Sequence, residues 1–130
     1  MPSGNLEVII DTSSILFSFE YRKDVFSIVE AEFPHAILSI SRGVLRELAS
    51  AALNKGKKGA AARTALLAVK SKKLKVYNNN GHVDAWIVGM ARASGGKVAI
   101  VTNDTLLVKR LHGFEGLRIS KLSKDGRLRY

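Results

Sequence analysis

Four carboxylates draw attention because each follows a short apolar stretch. Asp11 closes EVIID. Glu47 lies in SRGVLRELAS, just after AILSI. Asp84 lies in VDAWIVGMARASGG, after LKVY. Asp104 follows KVAIVT by two residues. Carboxylates gathered at one place repel one another unless a cation holds them. Hard oxygen donors suit magnesium or manganese rather than zinc. The chain has no cysteine, which excludes a zinc ribbon, a disulfide scaffold and a cysteine nucleophile. Taken singly, Asp84 and Asp104 also read as first-turn acids that favour a helix dipole by about 0.3–1 kcal/mol. Glu47 also reads as a solvated helix residue. Asp11 resists such a reading. Apolar β residues precede it and a tight turn follows, where a buried acid is costly without a partner.

The elements that must position these acids alternate. Glu7–Asp11 reads as a strand, followed by helices at Ser14–Glu20 and Asp24–Phe33, the first with Thr12, Ser13 and Ser14 as capping hydroxyls. Ala36–Ile40 reads as a strand, then a helix from a Ser41 cap to about Leu53. Asn54–Gly59 is a break, and Ala60–Lys70 a helix. Leu74–Tyr77 is a strand, Val83–Ala93 a helix ended by Gly95 and Gly96, and Lys97–Thr102 a buried strand. Asp104–His112 is a helix, Leu117–Ser120 a last strand, and residues 121–130 a basic tail. Strands separated by helices imply right-handed crossovers and a parallel sheet covered on both faces. In such a sheet ligands bind beyond the carboxyl ends of the strands. Four different strand-to-helix junctions therefore deliver the four acids to one rim.

Charge adds the second half of the argument. Lys and Arg number 21 against 11 Asp and Glu, a net charge of +10. Residues 1–50 hold 4 basic and 7 acidic side chains, whereas residues 51–130 hold 17 basic and 4 acidic. A one-sided positive field points to a polyanion, most often nucleic acid. An acidic metal site on a basic protein is the combination a nuclease needs. The basic surface holds phosphates, and the metal polarises a phosphodiester and activates water.

Four segments carry a family resemblance: VIIDTSSIL, SRGVLRELAS, VDAWIVGMARASGG and VAIVTND. In order and at these spacings they resemble PIN-domain ribonucleases over nearly the whole chain. The resemblance implies a three-layer α/β/α sandwich with a central parallel sheet, and Mg²⁺- or Mn²⁺-dependent cleavage of single-stranded RNA. It implies catalytic and metal roles for Asp11, Glu47, Asp84 and Asp104, with Thr12, Ser13, Thr102 and Asn103 in support. FSFEYRKDVF, NKGKKGAAARTALLAV and TNDTLLVKRL resemble the archaeal ribosome-biogenesis (Fcf/Utp-like) branch, which implies rRNA or its precursor as substrate. The chain departs from that branch at Val83 and at Thr105 and Leu106. The VapC-like toxin branch, held silent by an antitoxin protein, is the second reading.

Between residues 55 and 75 the chain has eight basic side chains and no acid. Lys55, Lys57, Lys58 and Arg63 are the candidate RNA-binding residues, in a segment whose glycines, Gly56 and Gly59, are expected to keep it adaptable. His82 reads as a turn residue before a helix, and Trp86 as core. A non-catalytic RNA-binding assembly factor is the rival from another class, but it would be expected to lack one of the acids. DTSSIL has no Gly-rich turn, which excludes a dinucleotide-binding domain. No apolar run reaches the length of a membrane span and MPSGNLEV has no secretory pattern, so a cytoplasmic single domain is expected, with a homodimer left open.

Overall fold

In the computed structural model, residues 6–94 and 96–130 are described. The chain runs β1 (Glu7–Ile10), α1 (Thr12–Glu20), α2 (Val25–Glu32), β2 (Ile37–Ser41), α3 (Arg42–Ala51) and α4 (Lys57–Ser71). It continues through β3 (Lys75–Tyr77), α5 (Val83–Ser94), β4 (Val98–Val101), α6 (Thr105–Leu111), β5 (Arg118–Leu122) and β6 (Leu128–Arg129). The six strands form one sheet in the order β3-β2-β1-β4-β5-β6. Every neighbouring pair is parallel except β5–β6, which is antiparallel.

The runs VII of β1 and VAIV of β4 sit in mid-sheet, paired from Glu7↔Val98 to Ile10↔Val101. Covered on both faces, such strands need no polar alternation, which is why they read as continuous apolar runs. Val8, Ile9, Ile10, Ile100 and Val101 are fully buried, each contributing about 1.5–3 kcal/mol through burial. Helices α1 and α3 both pack on α4, and α5 packs on α6. Right-handed crossovers put these groups on opposite faces of the sheet, giving the expected three layers. Trp86 is buried in α5 against Tyr77, ring centroids 5.5 Å apart.

Two departures from the sequence reading have clear causes. Helix α4 begins at Lys57 rather than Ala60, so Gly59 is a helical residue. A Cβ on Gly59 would lie 1.8 Å from the Asn54 carbonyl oxygen. Gly59 is there for close packing and not to keep a loop adaptable. Only Gly56, with φ of +87°, uses glycine's conformational freedom at this turn. The basic end is not a simple tail either. After β5 it turns at Gly126 and returns as β6, pairing Lys121 with Arg129 and Leu122 with Leu128. Gly95, one of the two expected helix stops, lies outside the described residues. No helix among the described residues is long and apolar enough to cross a membrane.

Candidate active site

Strand order reverses between β1 and β4, since β1 leads on one side to β2 and on the other adjoins β4. A crevice opens at the carboxyl ends of two such strands. Asp11 stands at the end of β1 and is only 4 % exposed. Thr102 stands at the end of β4 and is fully buried. The Thr102 hydroxyl donates to Asp11 Oδ2 at 2.8 Å, and the Ser13 hydroxyl donates to the same oxygen at 2.7 Å. Each hydroxyl is itself fixed by a backbone amide. Asn103 N donates to Ser13 Oγ at 3.0 Å, and Asp104 N donates to Thr102 Oγ1 at 3.1 Å. Both hydroxyl protons are thus aimed at one carboxylate oxygen, each bond worth about 1.5–3 kcal/mol. Among the described residues no hydrogen bond reaches Oδ1.

Burial pushes the Asp11 carboxyl above the usual carboxylate range. The Ser13 and Thr102 hydrogen bonds oppose that rise, and the negative charges of Asp84 and Glu47 add to it. Those two acids therefore bear on Asp11 through space. Glu47, in the second turn of α3, accepts the Thr12 hydroxyl at 2.6 Å, which ties α3 to the start of α1. Asp84, in the first turn of α5, faces Arg110 of α6, with N···O 3.9 Å and both side chains about half exposed. Glu47, His82, Asp84 and Arg110 line one cleft of about 390 Å³.

Asp104 is placed differently. It caps α6, its Oδ1 accepting from Leu106 N at 2.9 Å and Leu107 N at 3.3 Å. Its backbone belongs to the Asp11 network, but one oxygen of its carboxylate is turned to its own helix. Among the described residues no three Asp, Glu or His side chains come close enough together to hold one ion. The sequence thus brings Asp11, Glu47 and Asp84 into electrostatic range and tethers Asp104 beside them through Thr102.

The donor set still fits a hard divalent cation. All four candidates are carboxylates. Asp11 carries a pKa raised first by burial and further by the charges of Asp84 and Glu47, and no Lys or Arg among the described residues bridges to Asp11 or Glu47. Asn103 holds the frame: Ser14 Oγ donates to its Oδ1 at 2.8 Å, as does Leu122 N at 3.1 Å, while its Nδ2 donates to the Leu122 carbonyl at 2.9 Å. It locks α1 to β5 beneath the site.

Two residues escaped the sequence reading. Ser14 was read only as a capping hydroxyl, yet it bonds Asn103. Arg110 lies in TNDTLLVKRL, but nothing local marks it. The available signal was that α5 and α6 cover the same face as sequential neighbours. Of the candidate RNA-binding residues, Lys55, Lys57 and Lys58 are exposed on the turn into α4 and its start. Arg63 is engaged otherwise. Its Nη1 donates to the Ala52 carbonyl at 2.8 Å and the Asn54 carbonyl at 3.3 Å, closing the end of α3. His82 precedes α5, its carbonyl accepting Trp86 N at 3.1 Å.

The mainly parallel α/β sandwich is shared with known proteins. The sequence profile described as PIN like domain matches residues 8–123. The chain belongs to the PIN-like domain family. Among solved structures it is similar to the PIN domain endonuclease Utp24, at 25% identity and a TM-score of 0.76, covering 96% of this chain and 92% of that one. It has the same fold as a domain of a functionally unknown protein from Methanocaldococcus jannaschii, at 16% identity and a TM-score of 0.61, covering 91% of each. DNA-bound VapBC from Salmonella typhimurium shares the fold at 19% identity and a TM-score of 0.51, covering 89% of this chain and 98% of that one. Among curated proteins, none matches the chain.

Proposed function

We propose that this chain is a divalent-metal-dependent endoribonuclease that acts in rRNA maturation. The observation that carries the reading is Asp11: a buried carboxylate held by two hydroxyls, with Glu47 and Asp84 bearing on it, in a chain of net charge +10. Asp11, Glu47, Asp84 and Asp104 would hold Mg²⁺ or Mn²⁺. When bound, the ion supplies an activated water and charge neutralisation at the scissile phosphate. Ser13 and Thr102 fix the Asp11 carboxylate through Oδ2, which leaves Oδ1 as its oxygen for the ion. Thr12 orients Glu47. Arg110 offers a guanidinium in the cleft to a phosphate oxygen, its Asp84 contact being half exposed and so readily exchanged. The likeness to the endonuclease Utp24 over most of both chains supports an endonuclease, and the resemblance of FSFEYRKDVF, NKGKKGAAARTALLAV and TNDTLLVKRL to the ribosome-biogenesis branch supports the choice of rRNA.

Cleavage of single-stranded RNA should require Mg²⁺ or Mn²⁺, stop with EDTA, and be abolished by Asp11→Asn in a protein that still melts cooperatively. EDTA-resistant cleavage, or full activity in Asp11→Asn, would sink the assignment. One observation favours the toxin reading instead. Leu53 and Leu67, after α3 and on α4, are 86% and 67% exposed, and an antitoxin could cover them. Expression in a host without a partner gene separates the two. Tolerated expression with association to pre-ribosomal RNA is expected. Growth arrest that depends on Asp11 and is relieved by a neighbouring gene product would favour the toxin.

A further inference from the structure

Helix α1 leaves the acidic centre carrying a stripe of which the chemistry above uses only the first residue, Ser13. Ser13, Phe17 and Tyr21 are spaced four apart, so they wind slowly along one face. Ser13 touches Asp11, and Tyr21 closes the helix about 12 Å further on. The Phe17 and Tyr21 rings are tilted together with centroids 4.8 Å apart, and Tyr21 is 39% exposed. Two cations stand by the Tyr21 end of the stripe. Lys57 of α4 and Lys124 of the β5–β6 turn each bring an ammonium 5.7 Å from the Tyr21 ring centre. Phe17, Lys121, Lys124 and Arg129 line a groove of about 360 Å³ with Leu122 and Ser123, and no acid among the described residues lines it.

We propose that this stripe is the track on which the RNA strand reaches the acidic centre, with bases stacked on Phe17 and Tyr21 and phosphates on Lys57, Lys121 and Lys124. The inference rests on the nuclease reading and adds a path and a recognition mode to it. Aromatic faces set between cations suit single strands, whose unpaired bases expose a stacking surface and whose backbone tracks the charges. The three lysines come from α4, β5 and the closing turn, so the fold assembles the surface from segments far apart in sequence. Continuity with Asp11 through Ser13 makes RNA the occupant rather than an acidic polypeptide.

The full chain, held in EDTA so that nothing is cut, is titrated with a short single-stranded oligoribonucleotide carrying 2-aminopurine. Binding should quench the base. Tyr21→Ala should weaken binding about tenfold and lose the quench, while Tyr21→Phe should bind within about twofold of wild type. Lys57→Gln combined with Lys124→Gln should flatten the log K against log[salt] slope by roughly 1.4. The track is overturned if Tyr21→Ala binds and quenches like wild type, or if a duplex of the same length binds as tightly with the same sensitivity to Tyr21. It is also overturned if polyglutamate displaces the RNA and itself loses affinity in Tyr21→Ala, which would mark a protein-docking face. Metal-dependent cleavage that persists alongside a neutral Tyr21→Ala removes the track alone. A wild-type protein that neither binds nor cuts RNA removes the nuclease reading with it.

Discussion

Asp104 shows how one side chain can carry a structural and a chemical task at once. Its Oδ1 caps α6 while Oδ2 has no partner among the described residues. Asn caps a helix as well as Asp does, whereas Ala loses the cap at about 1 kcal/mol. Asp104→Asn should therefore abolish cleavage with an unchanged melting temperature, and Asp104→Ala should lose both activity and stability. Turnover and thermal melting of the two variants test this. Asp11 makes a different prediction, because its carboxyl is held above the usual range, chiefly by burial. An acid raised in the native state takes up a proton more readily folded than unfolded. Falling pH therefore strengthens the metal-free fold through that window, and rising pH weakens it. In EDTA, Asp11→Asn should melt above wild type at neutral pH, and the gap should narrow as pH falls toward the ordinary carboxylate value. Metal-dependent cleavage should decline over the same window, as protons compete for Asp11. The place of these acids was legible in the sequence because strand ends in a parallel sheet are predictable from apolar runs. The Asp84–Arg110 contact was not, since it joins two helices whose mutual rotation no local pattern encodes.

Among the elements, α4 is the best test of why helix boundaries escape sequence. NKGKKG looks like a break because glycine disfavours helix. Yet Gly59 is required where α4 passes the Asn54 carbonyl just beyond α3, and Arg63 reaches back to hold that carbonyl and the one at Ala52. Gly59→Ala should destabilise by about 1–3 kcal/mol, since the new methyl collides with backbone that cannot swing away. Gly89, in the middle of α5, has nothing within 4 Å of a Cβ. Gly89→Ala should stabilise by about 0.4–1 kcal/mol. Paired urea melts would show opposite shifts of midpoint; equal shifts would mean that α4 and α3 do not meet as described. The β5–β6 hairpin was illegible for a different reason. Leu128–Arg129 is too short to display alternation, and its charges resemble those of a solvated end.

At the scale of the whole molecule, the acidic centre draws on both halves of the chain, with Asp84 and Asp104 set in the basic half, while the basic surface comes almost wholly from the second. The first fifty residues supply Asp11 and Glu47 along with the negative excess, and the rest supplies the positive field. The charge asymmetry was readable directly from the sequence. The way α1, α4 and the closing hairpin gather Lys57, Lys121 and Lys124 around two aromatic rings depends on packing, which no count of lysines reveals. The strand order has a further consequence in time. β1 is made first, yet one of its two neighbours is β4, and one of the two hydroxyls that steady Asp11 belongs to Thr102. At synthesis rates of about 5–20 residues per second, roughly 5–20 seconds separate the emergence of Asp11 from that of Asp104. Throughout that interval β1 lacks one flank and the carboxylates stay apart. Ribosome-bound chains halted before Val98 should leave RNA uncut, and released full-length chains should cut it. A nuclease born on a particle made of RNA would thus be harmless to its maker until its own translation is nearly finished.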